Sequence, residues 1–510
     1  MPNLVVNGVA NPDADMDSRL AEVGLQVTVR KAVTVGTTRG SGMETLPLDQ
    51  DEDLVEIEYT DGVVEWMRVD KLRERLGQGA TSRGAAADLQ LPTRMPVEGA
   101  TARGLGDLLI KGVKILTLGA TGQQEQAVQA IIEDFESKLA PGPGLYAVQR
   151  DGSYADAVTS ELPASPRAYL LLIHGTFSST AEGFGNLFRS SEWEDLYDEY
   201  QGRIYAFNHR SLSQSPVQNA LELLKLLPRD ARLHIITHSR GGLVGELLCL
   251  HEITPVHLAP FHKGSVDRSR EIAALQELSD LLVEKHLTLD RFVRVACPAR
   301  GTLLAARRFD RYLSVLLSLA EHAIGKNLFT AYLKSTSLQL IQQRADPAQL
   351  PGIEAMMPES PLIAMLNRYG MECNADLAVV AGDCQAGDGI LNSLKVLASD
   401  VYYREDHDLV VNTAAMYGGA SRRHGGYFWF ERGSAVNHFS YFANPSSRRK
   451  ILAWLRRKEG EVVSGFEEIN FRPLAPALLR GASAPRTDAP TVVLIPALFG
   501  SHLQRGDKQI

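Results

Sequence analysis

Ser239, His438 and a downstream carboxylate are the residues of this chain whose types and order could do covalent chemistry. Ser239 sits in Leu233 to Gly245 (LHIITHSRGGLVG), which reads as a buried strand over Leu233 to Thr237, a sharp turn at His238-Ser239-Arg240, and a helix opened by Gly241 and Gly242. A hydroxyl is a poor nucleophile at its free pKa. A strained turn exposes it to a base, and a helix N-terminus behind it favours developing negative charge. Glycine at 241 lets strand and helix approach closely. In the G-x-S-x-G pattern of such turns, the first glycine is Thr237 here. The plain alternative is a serine capping an ordinary helix.

The general base is His438, on the loop between the strand-like Gly426 to Glu431 (GYFWFE) and a helix from Ser446 to Arg457. A histidine there reaches the serine, whereas most of the 13 histidines sit in polar or helical surroundings. Three acids compete to orient it: Asp383, which closes the strand Leu377 to Gly382, and Asp406 and Asp408 in Arg404 to Val411 (REDHDLVV). Each has a plain alternative as a solvated loop carboxylate.

A second buried strand, Ala168 to Gly175 (AYLLLIHG), runs into His174-Gly175-Thr176-Phe177-Ser178-Ser179-Thr180. This loop could aim the backbone N–H of Thr176 at a reacting carbonyl, complementing the N–H of Arg240, and so form an oxyanion hole. It also reads as a strand-to-helix turn with Ser178 or Thr180 as N-cap.

These residues resemble a bacterial lipase-like α/β-hydrolase, from about Gly144 to Leu455. Asp408 followed by Leu409-Val410-Val411 resembles the D-x-V-V loop of lipases, which selects it over Asp406 and Asp383. Val295 to Thr302 (VACPARGT) and Met357 to Asn367 (MPESPLIAMLN) resemble further lipase segments. His174 to Thr180, Ser211 to Ala220 and Thr237 to Gly242 together resemble a subgroup found in large multidomain bacterial proteins. The resemblance implies an α/β fold with a mostly parallel central sheet, helices on both faces and a helical cap. It implies a serine esterase or lipase-like activity in which Ser239, His438 and Asp408 act through an acyl-enzyme on a carboxylic or phospholipid acyl ester, with no metal or organic cofactor. Acyl transfer to an alcohol on the same fold is an alternative. So is a regulatory or scaffolding role within a larger bacterial protein that responds to infection or stress.

The surrounding elements are organised around this region. Residues 1–77 read as a small β-rich module, clearest in the hairpin Leu54 to Val69 around Asp61-Gly62. Residues 78–143 read as linker and helical segment: Gln78 to Ala87 is rich in Gly and Ala, and Gln123 to Leu139 has Val128, Ile131, Ile132 and Phe135 at helical spacing. The hydrolase region spans 144–460, with cap insertions 252–290 and 303–368, and starts with a hairpin from Leu145 to Val158. Leu313, Leu316, Leu317 and Phe329 of the second insertion look exposed, as in a mobile lid or a fixed cap. In the extension 461–510, the run Thr491 to Leu503 (TVVLIPALFGSHL) resembles the first strand of another hydrolase, which suggests a fragment of a longer chain. It also reads as an edge strand docked on the same sheet.

The 510 residues give a length prior of about three domains, and 44% hydrophobic residues supply an ample core. A net charge of -8 argues against nucleic-acid binding, which needs a basic face. Cys249, Cys297, Cys373 and Cys384 lack C-x-x-C spacing and read as buried free thiols of a reducing compartment. Asp13, Asp15, Asp17 and Glu22 interrupt any secretory leader, so the expected location is the cytosol. The most apolar helical stretches, Leu108 to Leu118 and Tyr312 to Ala320, are too short to span a bilayer, which leaves at most peripheral membrane contact. The expected partners are an ester or lipid-like small molecule and further domains or proteins.

Overall fold

The structure is a computed structural model. It describes residues 2–36, 42–49, 52–77, 88–95, 108–119, 124–264, 266–368, 371–385, 389–391, 393–395, 397, 406–423, 425–458, 460–469, 504–505 and 508–509. Residues Met1–Phe471 form one compact unit and Arg472–Ile510 a second.

The first unit opens with an antiparallel sheet, joined by β6 in parallel, built from β1 (Asn3–Ala10), β2 (Val27–Val35), β3 (Met43–Pro47), β4 (Asp53–Tyr59), β5 (Val64–Arg68), β6 (Leu89–Leu91), β7 (Arg94–Met95) and β8 (Leu108–Leu118). The strand order is β3-β1-β2-β8-β4-β5, with β6 on β1 and β7 on β8. The expected hairpin is β4 and β5, paired Leu54 to Arg68 and Glu58 to Val64. One expectation fails. Leu108–Leu118 is not a helix but the strand between β2 and β4. Its β-branched Ile110, Val113 and Ile115 are buried while Lys111 points outward, a period-2 pattern that outweighs its apolar content. The segment expected as linker and helix therefore also supplies β6, β7 and the central strand of this sheet. The expected linker Gln78 to Ala87 itself lies outside the described residues.

The helix Gln124–Lys138 follows, with Ile131, Ile132 and Phe135 buried as their spacing predicts. Then come β9 (Gly144–Val148), β10 (Tyr154–Ala157), β11 (Tyr169–Ile173), β12 (Ile204–Asn208), β13 (Arg232–His238), β14 (Thr288–Val295), β15 (Glu372–Cys373), β16 (Asp376–Cys384), β17 (Ser421–Arg422), β18 (Gly426–Gly433) and β19 (Glu467–Ile469). β15 pairs with β17, and the other nine form one sheet in the order β10-β9-β12-β11-β13-β14-β16-β18-β19. The stretch from β12 to β18 is parallel throughout, and the flanking strands are antiparallel. β11 is buried at every residue and β16 at all but its first, the continuous apolar reading of parallel strands covered on both faces. The expectation of a mixed α/β fold with a mostly parallel central sheet, preceded by a β-rich segment, holds.

Chain order places the switch in this sheet. From β11 the chain moves to β12 on one side and returns to β13 on the other, so the loops leaving the C-terminal ends of β11 and β13 lie side by side. That crevice is where open α/β sheets bind ligands.

The insertion 303–368 folds into helices, among them Phe309–Ile324 and Leu328–Gln342. Leu313, Leu316 and Leu317 were expected at the surface, but all three are buried, because the antiparallel sheet covers this helix pair. Across that seam Trp66 N donates to Ser314 Oγ at 3.2 Å, and an Arg68 guanidinium nitrogen donates to the Gln342 carbonyl at 3.0 Å. Arg311 Nε donates to Glu65 Oε1 at 3.2 Å. Cap, antiparallel sheet and parallel sheet share one hydrophobic core.

Of the second unit, β20 (Gln504–Arg505) pairs antiparallel with β21 (Lys508–Gln509). The run Thr491 to Leu503 lies outside the described residues. Among the described residues no helix is long and apolar enough to cross a membrane.

Candidate active site

Strand β13 ends at His238, and Gly241 begins the helix Gly241–Leu248, so only Ser239 and Arg240 make the turn. Ser239 takes the left-handed conformation at φ 52°, which costs a non-glycine residue on the order of 1–3 kcal/mol. Ser239 N donates to the Val295 carbonyl at 2.8 Å, which fixes the turn to β14. Two glycines make room for it. A Cβ at Gly241 would lie 2.4 Å from the His174 carbonyl oxygen and 2.5 Å from that of Ile173, and one at Gly175 would lie 2.7 Å from Ser239 Cβ. Gly241 had been read from the sequence as a close-approach position; Gly175 plays the same part from the other loop.

His438 arrives on the loop between β18 and the helix Pro445–Arg456. Its Nε2 lies 2.9 Å from Ser239 Oγ, and its Nδ1 lies 2.8 Å from Asp408 Oδ2. Asp408 Oδ1 accepts the backbone N–H groups of Val410 at 3.1 Å and Val411 at 2.8 Å, so backbone donors hold the carboxylate. Tyr441 donates its hydroxyl to Asp408 Oδ2 at 3.2 Å. Burial and the Asp408 charge push the Tyr441 phenol well above its ordinary pKa, so it stays a donor.

The structure separates the three candidate acids. Asp408 alone among them touches His438. Asp383 lies within β16, where its Oδ1 accepts the His407 backbone N–H at 3.3 Å and its Oδ2 pairs with Arg432 Nε at 3.3 Å. Asp406 pairs with the same Arg432 at 2.8 Å. Both anchor the loop that carries Asp408.

The loop after β11 runs beside the Ser239 turn. Phe177 is left-handed at φ 52°, and its N–H donates to Ser211 Oγ at 3.1 Å. Among the described residues, the backbone N–H groups of Thr176 and Arg240 have no acceptor. The N-cap of the following helix is Ser179, in a capping box with Glu182, and not Ser178 or Thr180; the helix begins one turn position away from the expectation.

The side chains of five residues around the site were not singled out from the sequence: Tyr441, His238, Arg240, Glu136 and Tyr312. His238, one residue before the serine, donates Nε2–H to the His438 carbonyl at 2.8 Å, and burial pushes its pKa down to about 3, which keeps the ring neutral. The Arg240 side chain is completely buried, donating to Asn219 Oδ1 at 2.9 Å and to the carbonyls of Gln214 at 2.6 Å and Gly352 at 3.1 Å. Burial lowers its pKa to about 9. Glu136 accepts from Leu212 N at 2.7 Å and from the Ser213 hydroxyl, which braces the loop holding Ser211. Tyr312, from the cap, adjoins Thr176, whose hydroxyl lies 3.4 Å from Met356 Sδ. A tyrosine three residues after a loop histidine is the signal that could have flagged Tyr441. The others depend on contacts with other elements, from 21 residues of chain away for Arg240 with Asn219 to 200 for His238 with His438.

The site is closed over. Ser239, His438, Asp408 and Thr176 are all buried, Ser239 at 6% exposure. Thr302 ties the cover down, its N donating to Met356 O and its hydroxyl to Val410 O, both at 2.8 Å. All four cysteines are buried free thiols.

A family model described as "Domain of unknown function (DUF7379)" matches residues 143–266 and 267–456. No curated protein matches the chain. Among solved structures, lipase 1 from Pelosinus fermentans is similar at 12% identity and a TM-score of 0.37, covering 56% of this chain and 96% of its own. Lipase BlEst2 of Bacillus licheniformis in its mature form is 14% identical with a TM-score of 0.27, covering 56% and 91%. Esterase B from Lactobacillus rhamnosis, inhibited by a tributyrin phosphonate, is 13% identical with a TM-score of 0.26, covering 66% and 95%.

Proposed function

The chain belongs to the DUF7379 family by a match over more than half its length, and from that premise we propose that residues 144–460 form an α/β-hydrolase that cleaves carboxylic esters through an acyl-enzyme. The observation that carries this reading is the unbroken line Ser239 Oγ, His438 Nε2, His438 Nδ1, Asp408 Oδ2, with steps of 2.9 and 2.8 Å.

In this reading Ser239 Oγ attacks the ester carbonyl carbon while His438 Nε2 takes the hydroxyl proton. The carbonyl electrons move onto its oxygen, which the N–H groups of Thr176 and Arg240 receive; each such donor contributes about 3 kcal/mol in the transition state. Asp408 holds the Nδ1 proton and stabilises the imidazolium, and Tyr441 together with the two backbone donors keeps Asp408 in place. As the carbonyl re-forms, the bond to the alkoxide breaks and His438 returns the proton to it, releasing the alcohol. Water, deprotonated by His438, then attacks the acyl-enzyme and frees the acid and Ser239. An alcohol in place of water would give acyl transfer at the same groups. No step calls on a metal or organic cofactor.

The burial of Ser239 adds a requirement: the cover around Gly352 to Met356 and Tyr312 must shift before an ester enters. The aliphatic residues of this cover support a lipid-like acyl chain as the substrate class. Turnover of p-nitrophenyl butyrate and p-nitrophenyl octanoate by the wild type, and its loss in Ser239→Ala, tests the reading. Turnover that persists in the variant would refute it.

A further inference from the structure

The helix Gln124–Lys138 precedes the hydrolase region, yet it reaches the oxyanion loop by two routes. Phe135 packs its ring edge-on against Phe177, with centroids 5.7 Å apart. Its neighbour Glu136 turns a buried carboxylate to the loop between β12 and the helix Pro216–Leu226. There Oε1 accepts the Leu212 N–H at 2.7 Å and the Ser213 N–H at 3.3 Å, and Oε2 accepts the Ser213 hydroxyl. Ser211, one residue earlier, accepts the Phe177 N–H on its hydroxyl oxygen at 3.1 Å. Helix, loop and Phe177 form one connected line.

That line ends on the peptide next to the oxyanion donor. Phe177 is left-handed at φ 52°, a conformation that a phenylalanine keeps only where its surroundings impose it. Its N–H belongs to the peptide that follows Thr176. The peptide before Thr176 is held as well: His174 Nδ1–H donates to the Gly175 carbonyl at 2.8 Å, because Nε2 of the same ring accepts the His209 N–H at 2.9 Å. With both planes fixed, the direction of the Thr176 N–H is set. We propose that Glu136 and Phe135 are positioning residues of the oxyanion hole, acting through Ser211 and Phe177 to aim the Thr176 N–H. The catalytic consequence rests on the esterase reading; the brace itself does not.

The test combines hydrogen exchange, read on peptides spanning 174–180, with ester kinetics on the full chain. In Glu136→Ala the Phe177 amide should exchange at least about tenfold faster than in the wild type, while β11 keeps its protection and so reports an intact fold. Phe135→Leu keeps an apolar side chain and should show the same change more weakly. Should β11 lose its protection in Glu136→Ala, Phe135→Leu decides by the same readout. For p-nitrophenyl butyrate, kcat should fall about tenfold in Glu136→Ala with KM within about twofold, and Glu136→Gln, which keeps the acceptor for Leu212, should recover most of it. Ser211→Ala breaks the same line, so the double variant with Glu136→Ala should lose no more than the larger single loss. Unchanged exchange at Phe177 in both Glu136→Ala and Phe135→Leu would overturn the proposal, and so would losses that multiply in the double variant. Faster exchange in the variants of a chain that turns over no ester would uphold the brace and count against the esterase reading.

Discussion

Asp408 holds His438 at two points: Oδ2 meets ring Nδ1 at 2.8 Å, and its backbone carbonyl accepts the His438 backbone N–H at 2.9 Å. Asp408→Asn removes the charge and the tautomer control while the backbone bond survives. The expected outcome is a loss of about 10⁴ in kcat with thermal stability close to wild type. Asp383→Asn, which touches the loop anchor, Gln385 and Arg432 and not His438, should cost far less activity. Esterase kinetics on the two variants decide it; the reverse ranking would move the acid to Asp383.

Gly175 lies against the nucleophile turn, where an added Cβ would meet Ser239 Cβ at 2.7 Å. Neither partner can give, because one is backbone in a tight loop and the other is fixed by β14. Gly175→Ala should therefore displace Ser239 from His438 and lower kcat by at least about 100-fold while KM changes less. Near-normal kcat would show that the loop position is not critical.

Five histidines set the acid sensitivity of the fold: His234, half-buried, and four buried rings, among them His209, which burial holds well below its ordinary value. Burial lowers His174 and His238 to about 3, and His234 and His407 to about 4, from an ordinary value of 6.5. Between those values the unfolded chain binds protons that the folded chain refuses. Stability is therefore full above pH 6.5 and is lost as pH falls toward 4, by up to about 1.4 kcal/mol per pH unit for each histidine. Urea midpoints measured at about pH 7, 6 and 5 should fall steadily. A flat or rising series would contradict the burial of these rings.

The antiparallel sheet and the cap are one packing unit. Deleting residues 1–77 removes β4 and β5 from the helix Phe309–Ile324 and both neighbours from β8, exposing an apolar face that the remaining chain cannot cover. The expected product is insoluble or aggregated. A soluble, cooperatively unfolding truncate would show that the sheet is an independent domain.

Ser239, His438 and the two carrying loops are legible in the sequence because each follows a short, strongly apolar strand whose type is unmistakable. Asp408 was separable from Asp383 and Asp406 only through the resemblance of Leu409-Val410-Val411 to a lipase loop, since all three acids lie at or beyond the end of the same strand. Leu108–Leu118 is apolar enough to resemble a helix, and only the alternation of buried and outward positions marks it as a strand. The burial of Leu313, Leu316 and Leu317 was not legible at all: helical spacing shows an apolar face, and only the sheet strands, more than 240 residues earlier at Trp66, show what covers it. The roles of the Tyr312 and Arg240 side chains were not legible either, because their partners come from other elements.

Fluorophosphonate labelling read by intact mass tests the central claim most directly. The wild-type chain should gain one adduct, mapped to Ser239, and Ser239→Ala should gain none. An unlabelled wild-type chain after prolonged incubation, or an equal adduct on Ser239→Ala, would contradict an activated serine at this position.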